Sequence, residues 1–174
     1  MNRSIAPDRT EASEYYFRYI DQVAPGDICE VLAVQGTEVL ALSRGVTEER
    51  SRFRYQPGKW SLRQVLSHIN DTERLFAMRA FWFARGHEAP LPSFDQDVAI
   101  AVAGADERSW ASHVAEFEAV RAATRTLFEN LPADAWSRRG TASGFPFSVK
   151  ALAYIAAGHV THHLQIVREK YLET

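Results

Sequence analysis

Cysteine is almost missing from this chain of 174 residues: Cys29 stands alone, so no intramolecular disulfide can staple the fold. With no basic, apolar leader at the start, a reducing cytoplasm is the expected compartment. Long apolar runs are lacking too, and none approaches the roughly 20 residues that cross a bilayer, so no membrane partner is expected. Neither sign of charge dominates. Twenty Lys and Arg against 22 Asp and Glu leave a formal net charge of -2, interspersed along the chain, which gives no electrostatic footprint for nucleic acid. Repeats and low-complexity tracts are absent. What is present, 46% hydrophobic and 24% charged residues, suits one globular domain spanning residues 1–174 that buries a core unaided, with about residues 1–11 as a flexible N-terminal segment. Small molecules and protein partners remain as ligand classes.

Helical periodicity organises the chain. Tyr15, Tyr16, Phe17 and Tyr19 predict a short helix that Pro25-Gly26 breaks. Asp27 has the place of an N-cap, and Ile28, Val31, Leu32, Gln35, Val39 and Leu42 follow at helical spacing up to a stop before Gly45. Cys29, at the start of this helix, reads as a small buried hydrophobe. Ser61 and Gln64 have the spacing of a capping box, in which two side chains satisfy each other's orphan amides, so a second long helix is predicted from there to about Arg85. One of its stripes carries Leu62, Val65, Leu66, Ile69, Glu73 and Phe76; a flanking one carries His68, Thr72, Leu75 and Arg79.

Residues 87–104 hold Pro90, Pro92, Asp95 and Asp97 around few periodic positions and read as a long loop, with the aspartates capping a loop helix or bordering a pocket mouth, capping being favoured. A third helix fits from about Asp106 to Leu131, before Pro132, and a last one follows Ser148. Trp136 and several Gly and Ser lie between them. The prediction is an all-α, up-and-down four-helix bundle with a long loop between the second and third long helices. Such bundles build cofactor sites from side chains on facing helices.

Histidine is scarce as well, with six residues, yet three of them fall in Gly158-His159-Val160-Thr161-His162-His163. At four residues apart, His159 and His163 lie within about 40° of each other on a helix and share the direction of Leu152 and Ile166. An inward imidazole left unpaired costs about 1–3 kcal/mol, so each needs a hydrogen bond or a metal, and spacing leaves both open. A third ligand would complete a site with an open position for water or substrate. His68 and His113 are both candidates; His113 has the cleaner apolar phase. His162 lies about 60° to the other side of His159, at the margin of the stripe, as a candidate base. Asp71 and Thr72 share the side of His68, where a proton acceptor or an orienting group is useful. Glu73, on the apolar stripe, reads as a structural partner for a buried arginine or a backbone group, ahead of a catalytic role.

The string Trp60-Ser61-Leu62-Arg63-Gln64-Val65-Leu66-Ser67-His68-Ile69-Asn70-Asp71-Thr72-Glu73-Arg74 resembles the signature helix of the DinB-like (YfiT-type) superfamily of four-helix-bundle metalloproteins. Ala157-Gly158-His159-Val160-Thr161-His162-His163 is similar to that superfamily's last-helix motif, and Phe94-Asp95-Gln96-Asp97 and Pro57-Gly58-Lys59-Trp60 extend the likeness from about residue 12 onward. The resemblance implies His68, His159 and His163 as ligands of a divalent metal, zinc or nickel, and a homodimer. It further implies either a transferase that joins a low-molecular-weight thiol to a small electrophile or a hydrolase. Three neutral imidazoles suit zinc, nickel, iron or copper better than magnesium or calcium. Thiol transfer is the expected activity, with His162 and Asp71 as catalytic candidates. A metal-dependent hydrolase and a non-catalytic, stress-associated metal-binding dimer are the alternatives.

Overall fold

The computed structural model describes residues 3–172. A 3-10 turn, Glu14–Tyr16, leads into the single turn of α1, Phe17–Ile20, the short element expected from the aromatic cluster. Asp27 accepts the amide of Cys29 and starts α2, Ile28–Arg44, which ends at Gly45. The capping box of Ser61 and Gln64 is formed and opens α3, Leu62–Ala84. Ser109 caps α5, Trp110–Glu129, and Ser148 caps α6, Val149–Val167. The last helix continues into a wider turn at Arg168–Leu172.

The long loop after α3 contains a two-turn helix, α4, Gln96–Val102, whose first amides, those of Asp97 and Val98, bond to the Asp95 carboxylate. Before α6, the chain makes a 3-10 turn at Ala133–Ser137 and a hairpin of β1, Arg139–Ala142, and β2, Phe145–Ser148. Ser143 and Gly144 connect its strands with φ of 53° and 80°, the left-handed pair that matches the twist of a two-residue hairpin. Leu91 donates to the carbonyl of Thr141 and accepts from the amide of Ser143, so the loop after α3 is pinned to the hairpin.

The expected four-helix bundle is present, and its chain path is up, down, down, up. Asn70 reaches the carbonyl of His113 and Glu73 reaches Arg121, so α3 and α5 run parallel. His68 meets His159, and Trp60 accepts from Tyr171, so α3 and α6 run antiparallel. Trp110 bonds to Ser43 while Arg121 bonds to Gln35, which sets α2 against α5; Gln35 to Ala157 and Glu38 to Arg168 set α2 alongside α6. Strict alternation thus gives way to a parallel α3–α5 pair. A parallel pair needs a crossover, and the segment from 85 to 109 supplies it.

Two apolar clusters fill the bundle. One gathers Phe17, Ile20, Phe76, Phe83, Phe128 and Trp136 with the first half of α6; the other gathers Leu62, Leu66, Trp110, Phe117, Val160 and Tyr171. Between them lies a polar layer. Arg121 forks onto both carboxylate oxygens of Glu73 at 2.7 Å and donates to Gln35 and the carbonyl of Leu32. Gln35 donates in turn to the carbonyl of Ala157 and to Thr161. Glu73 is therefore the buried-arginine partner that its stripe position suggested.

The opening segment, expected to be flexible to about residue 11, makes specific contacts from Arg3 onward; residues 1 and 2 lie outside the described range. Arg3 pairs with Asp27, and its carbonyl accepts from Tyr154. Glu11 is buried against Ser148 and Lys150.

Candidate metal centre

The polar layer carries the histidines because α3 and α6 are antiparallel neighbours, which brings the second turn of α3 to the last turns of α6. Nε2 of His68 and of His163 stand 3.1 and 3.2 Å from Nε2 of His159. One ring nitrogen from each residue lies within 4.8 Å of the others, and among the described residues no other His, Cys, Asp or Glu group gathers in this way. His68 and His159 are buried and His163 is partly buried. Gly158 makes the approach of α1 possible: a Cβ there would stand 2.0 Å from the carbonyl oxygen of Tyr19. Held so close, Tyr19 places its ring edge-on to His159 and His162, while Trp60 lies over His68.

Burial sets the protonation of these rings. It pushes His68 down to about 4 and, with the fields of His68 and His162, His163 down to about 3. His159 falls well below the ordinary imidazole range, through burial first and then its histidine neighbours. All three are neutral at pH 7, the form that ligates metals. As hydrogen bonds alone the arrangement is poor, since Nε2 of His159 has one lone pair and two ring nitrogens facing it. His68, His159 and His163 would each turn a lone pair to a divalent cation held between them. Ligands about 2.0–2.1 Å from a tetrahedral ion stand roughly 3.3 Å apart, close to the two distances found.

Thr72 fixes which nitrogen of His159 is free. Its hydroxyl has one proton, which the carbonyl of His68 takes at 2.7 Å. The hydroxyl oxygen then faces Nδ1 of His159 at 3.3 Å as an acceptor, so the hydrogen-bond partners assign the proton to Nδ1 and leave Nε2 for the cluster. Thr72→Val removes that acceptor. Metal affinity is expected to fall roughly 10- to 100-fold with helix content unchanged, as read by competition with a chromogenic chelator. Unchanged affinity would remove Thr72 from the site.

The depressed imidazoles also predict a pH dependence for the metal-free protein. An unfolded histidine titrates near 6.5, above the folded value of about 4 for His68. Protons therefore favour the unfolded chain as the pH drops. Stability is complete above about 6.5 and is lost toward pH 4, by up to ~1.4 kcal/mol per pH unit for each such ring. Urea titrations at pH 7.5 and 5 are the measurement. Equal midpoints at the two pH values would show that the rings do not carry the effect.

Other candidates go elsewhere. His113 is fully buried, but its Nε2 donates to the carbonyl of Ala105 at 2.8 Å, and it does not join the cluster. His162 sits beside His163, partly exposed against Tyr19, with its titration lowered by burial and by Arg18. Asp71 pairs with Arg74 and borders a surface groove with Met78 and Val102, a groove that none of the three histidines lines. Its carboxyl is raised, mainly by burial.

Two cavities flank the cluster. One, of about 250 Å³, ends on His159 and Thr72 and is walled by Tyr16, Tyr19, Phe76 and Phe94, with Arg79 at its side. The other, of about 280 Å³, reaches His163 between Trp60, Lys59 and Tyr171. Sequence reasoning did not single out Tyr19 or Arg79 as functional. A signal for Arg79 existed: it lies on the stripe of His68, Thr72 and Leu75.

A four-helix bundle that gathers three neutral imidazoles from two of its helices defines a candidate metal-binding bundle. The sequence profile of the DinB superfamily matches residues 32–167, and the chain belongs to that superfamily. No curated protein sequence matches it with significance. Among solved structures it is similar to YfiT from Bacillus subtilis, described as a probable metal-dependent hydrolase with an unusual four-helix bundle topology. The TM-score is 0.68 at 16% identity, over 97% of this chain and 98% of that one. It is also similar to the mycothiol-dependent maleylpyruvate isomerase, with a TM-score of 0.66 at 15% identity over 79% of this chain, and it spans 58% of that protein. At these identities the likeness is one of fold.

Proposed function

We propose that this protein is a metal-dependent enzyme that joins a low-molecular-weight thiol to a small electrophile, working in the cytoplasm as a homodimer. The observation that carries the reading is the convergence of three neutral imidazole nitrogens beside an aromatic cavity. His68, His159 and His163 would hold zinc or nickel, which when bound supplies a Lewis acid able to lower the pKa of a thiol or of water. The chain's own residues do the rest. Thr72 orients His159, and Tyr19, Phe76 and Trp60 keep bulk water from the rings. His162, neutral at pH 7 and partly exposed beside His163, is the residue we retain as proton acceptor. Asp71, turned to a separate groove, is not retained.

Thiol transfer is favoured by the likeness to a thiol-dependent isomerase, and hydrolysis by the full-length likeness to YfiT. The test is to load the protein with zinc or nickel and follow consumption of several cellular thiols against a chromogenic electrophile, with ester, amide and phosphate substrates alongside. Metal-dependent thiol consumption that His159→Ala abolishes supports the proposal. Turnover of a hydrolytic substrate alone replaces it with the hydrolase reading, and no turnover on either panel leaves a non-catalytic metal-binding protein.

A further inference from the structure

Four cationic side chains of the described chain are almost wholly buried: Arg63, Arg79, Arg121 and Lys150. Three have a carboxylate. Arg63 pairs with Glu48, Arg121 with Glu73 and Lys150 with Glu11. Arg79, at 1% exposure, is the exception: among the described residues no acidic group pairs with it. Its Nη2 donates to the carbonyl of Pro92 at 2.9 Å and to the Ser143 hydroxyl at 3.0 Å, and its Nε is buried with no partner. The two bonds it makes explain its pose. Pro92 and Ser143 sit on the crossover loop and the hairpin turn, which Leu91 ties together, so the guanidinium is clamped along the wall of the aromatic cavity that ends on His159.

A buried cation without a counter-ion is costly, and this one lines a cavity with no Asp or Glu in its lining. We propose that this cavity binds a small organic carboxylate, which Arg79 takes as its missing counter-ion. Both protons of Nη2 are already committed, so the carboxylate meets the guanidinium's positive charge through a remaining donor, as a charge-assisted contact. The aromatic walls select a flat, unsaturated or aryl body, and a volume of about 250 Å³ falls below the roughly 300–1,000 Å³ of pockets for drug-sized ligands. The carboxylate end rests on Arg79 and the body points toward His159. This names a substrate class for the proposed reaction and rests on that reading for its chemistry, whereas the binding itself needs no metal. The carboxylate belongs to the electrophile or to the thiol, and both sources meet the same guanidinium.

The experiment titrates benzoate and its neutral isostere benzamide into the metal-free protein, where direct coordination is removed, and into the zinc-loaded protein. Benzoate is expected to bind roughly 10- to 100-fold more tightly than benzamide, the range of charge-assisted hydrogen bonds. Arg79→Met should abolish that preference and Arg79→Lys should keep part of it. The guanidinium resonances of Arg79 should shift with benzoate in the wild-type protein, a readout that does not depend on any variant folding. Equal binding of the two probes, no detectable benzoate binding, a preference that survives Arg79→Met, or displacement of benzoate by equimolar inorganic phosphate would each overturn the proposal. To separate the two sources, an aryl-carboxylate electrophile and a carboxylate-bearing thiol are each assayed against their amides in wild type and Arg79→Met. The pair whose KM advantage Arg79→Met removes identifies the source, and no advantage in either pair overturns the assignment to substrate. A preference for benzoate in a protein that consumes no thiol keeps the carboxylate site while discarding thiol transfer.

Discussion

His159→Ala is expected to leave the protein unable to retain a stoichiometric divalent metal through dialysis. His159 is the hub of the cluster, with Nε2 facing both other rings at 3.1 and 3.2 Å, so its removal takes away one donor and the ring that spaces the other two. Loss of an outer partner of a ligand costs about 10- to 100-fold in affinity, and loss of a ligand should cost more. Thermal unfolding separates this from general damage. Metal at about 1,000 times its Kd stabilises a folded protein by about 4 kcal/mol, which is roughly 8–16 °C for a domain of this size. That shift should be present in the wild type and absent in His159→Ala. His113→Ala is the control: it loses the bond to Ala105 and is destabilised, but it should keep its metal. Stoichiometric metal in each of His68→Ala, His159→Ala and His163→Ala would sink the site.

Glu73→Ala should produce the largest loss of stability. It strips both carboxylate oxygens from Arg121 in the middle of the bundle, where both side chains are almost fully buried. A buried charge left unpaired costs about 3–5 kcal/mol, or roughly 6–20 °C in Tm. Urea titration should show a lower midpoint at unchanged slope. The double replacement Glu73→Leu with Arg121→Met should recover much of the loss, because it removes the stranded charge along with its partner. A loss below about 1 kcal/mol, the range of surface pairs, would show that the pair is not desolvated as its burial implies.

Phase was legible for His159 and His163 because a helix repeats every 3.6 residues and α6 is apolar around them. Phase reports burial and not partner, which is why His113, with the cleaner periodicity, turned out to bond a carbonyl. The motif around His68 carried the information that periodicity lacked. Four caps were legible, since Asp27, Ser61, Asp95 and Ser148 each satisfy an amide two or three residues ahead; Ser109, which caps α5, was not singled out, and Asp97 lies in the first turn of α4 instead of capping it. The direction of the helices was not. It depends on where the crossover loop docks, and that is decided by the pairing of Leu91 with the hairpin, whose turn at Ser143 and Gly144 is the one local cue. Arg79 was readable as a flank residue, but its cavity is made by α1 and the crossover loop, which only tertiary packing brings to α3.

His68 and His159 are separated by 91 positions along the chain, and one ion between them would act as a removable cross-link. Closing a loop of this length costs an unfolded chain on the order of 4–5 kcal/mol of configurational entropy in the polymer treatment used for disulfides. The ion can engage all three rings only after that closure has been made by folding. Engagement of all three rings would therefore coincide with the packing of α3 against α6. Amide hydrogen exchange should slow on loading in the opening turns of α3 and the closing turns of α6, and stay unchanged in the hairpin at the far end of the bundle.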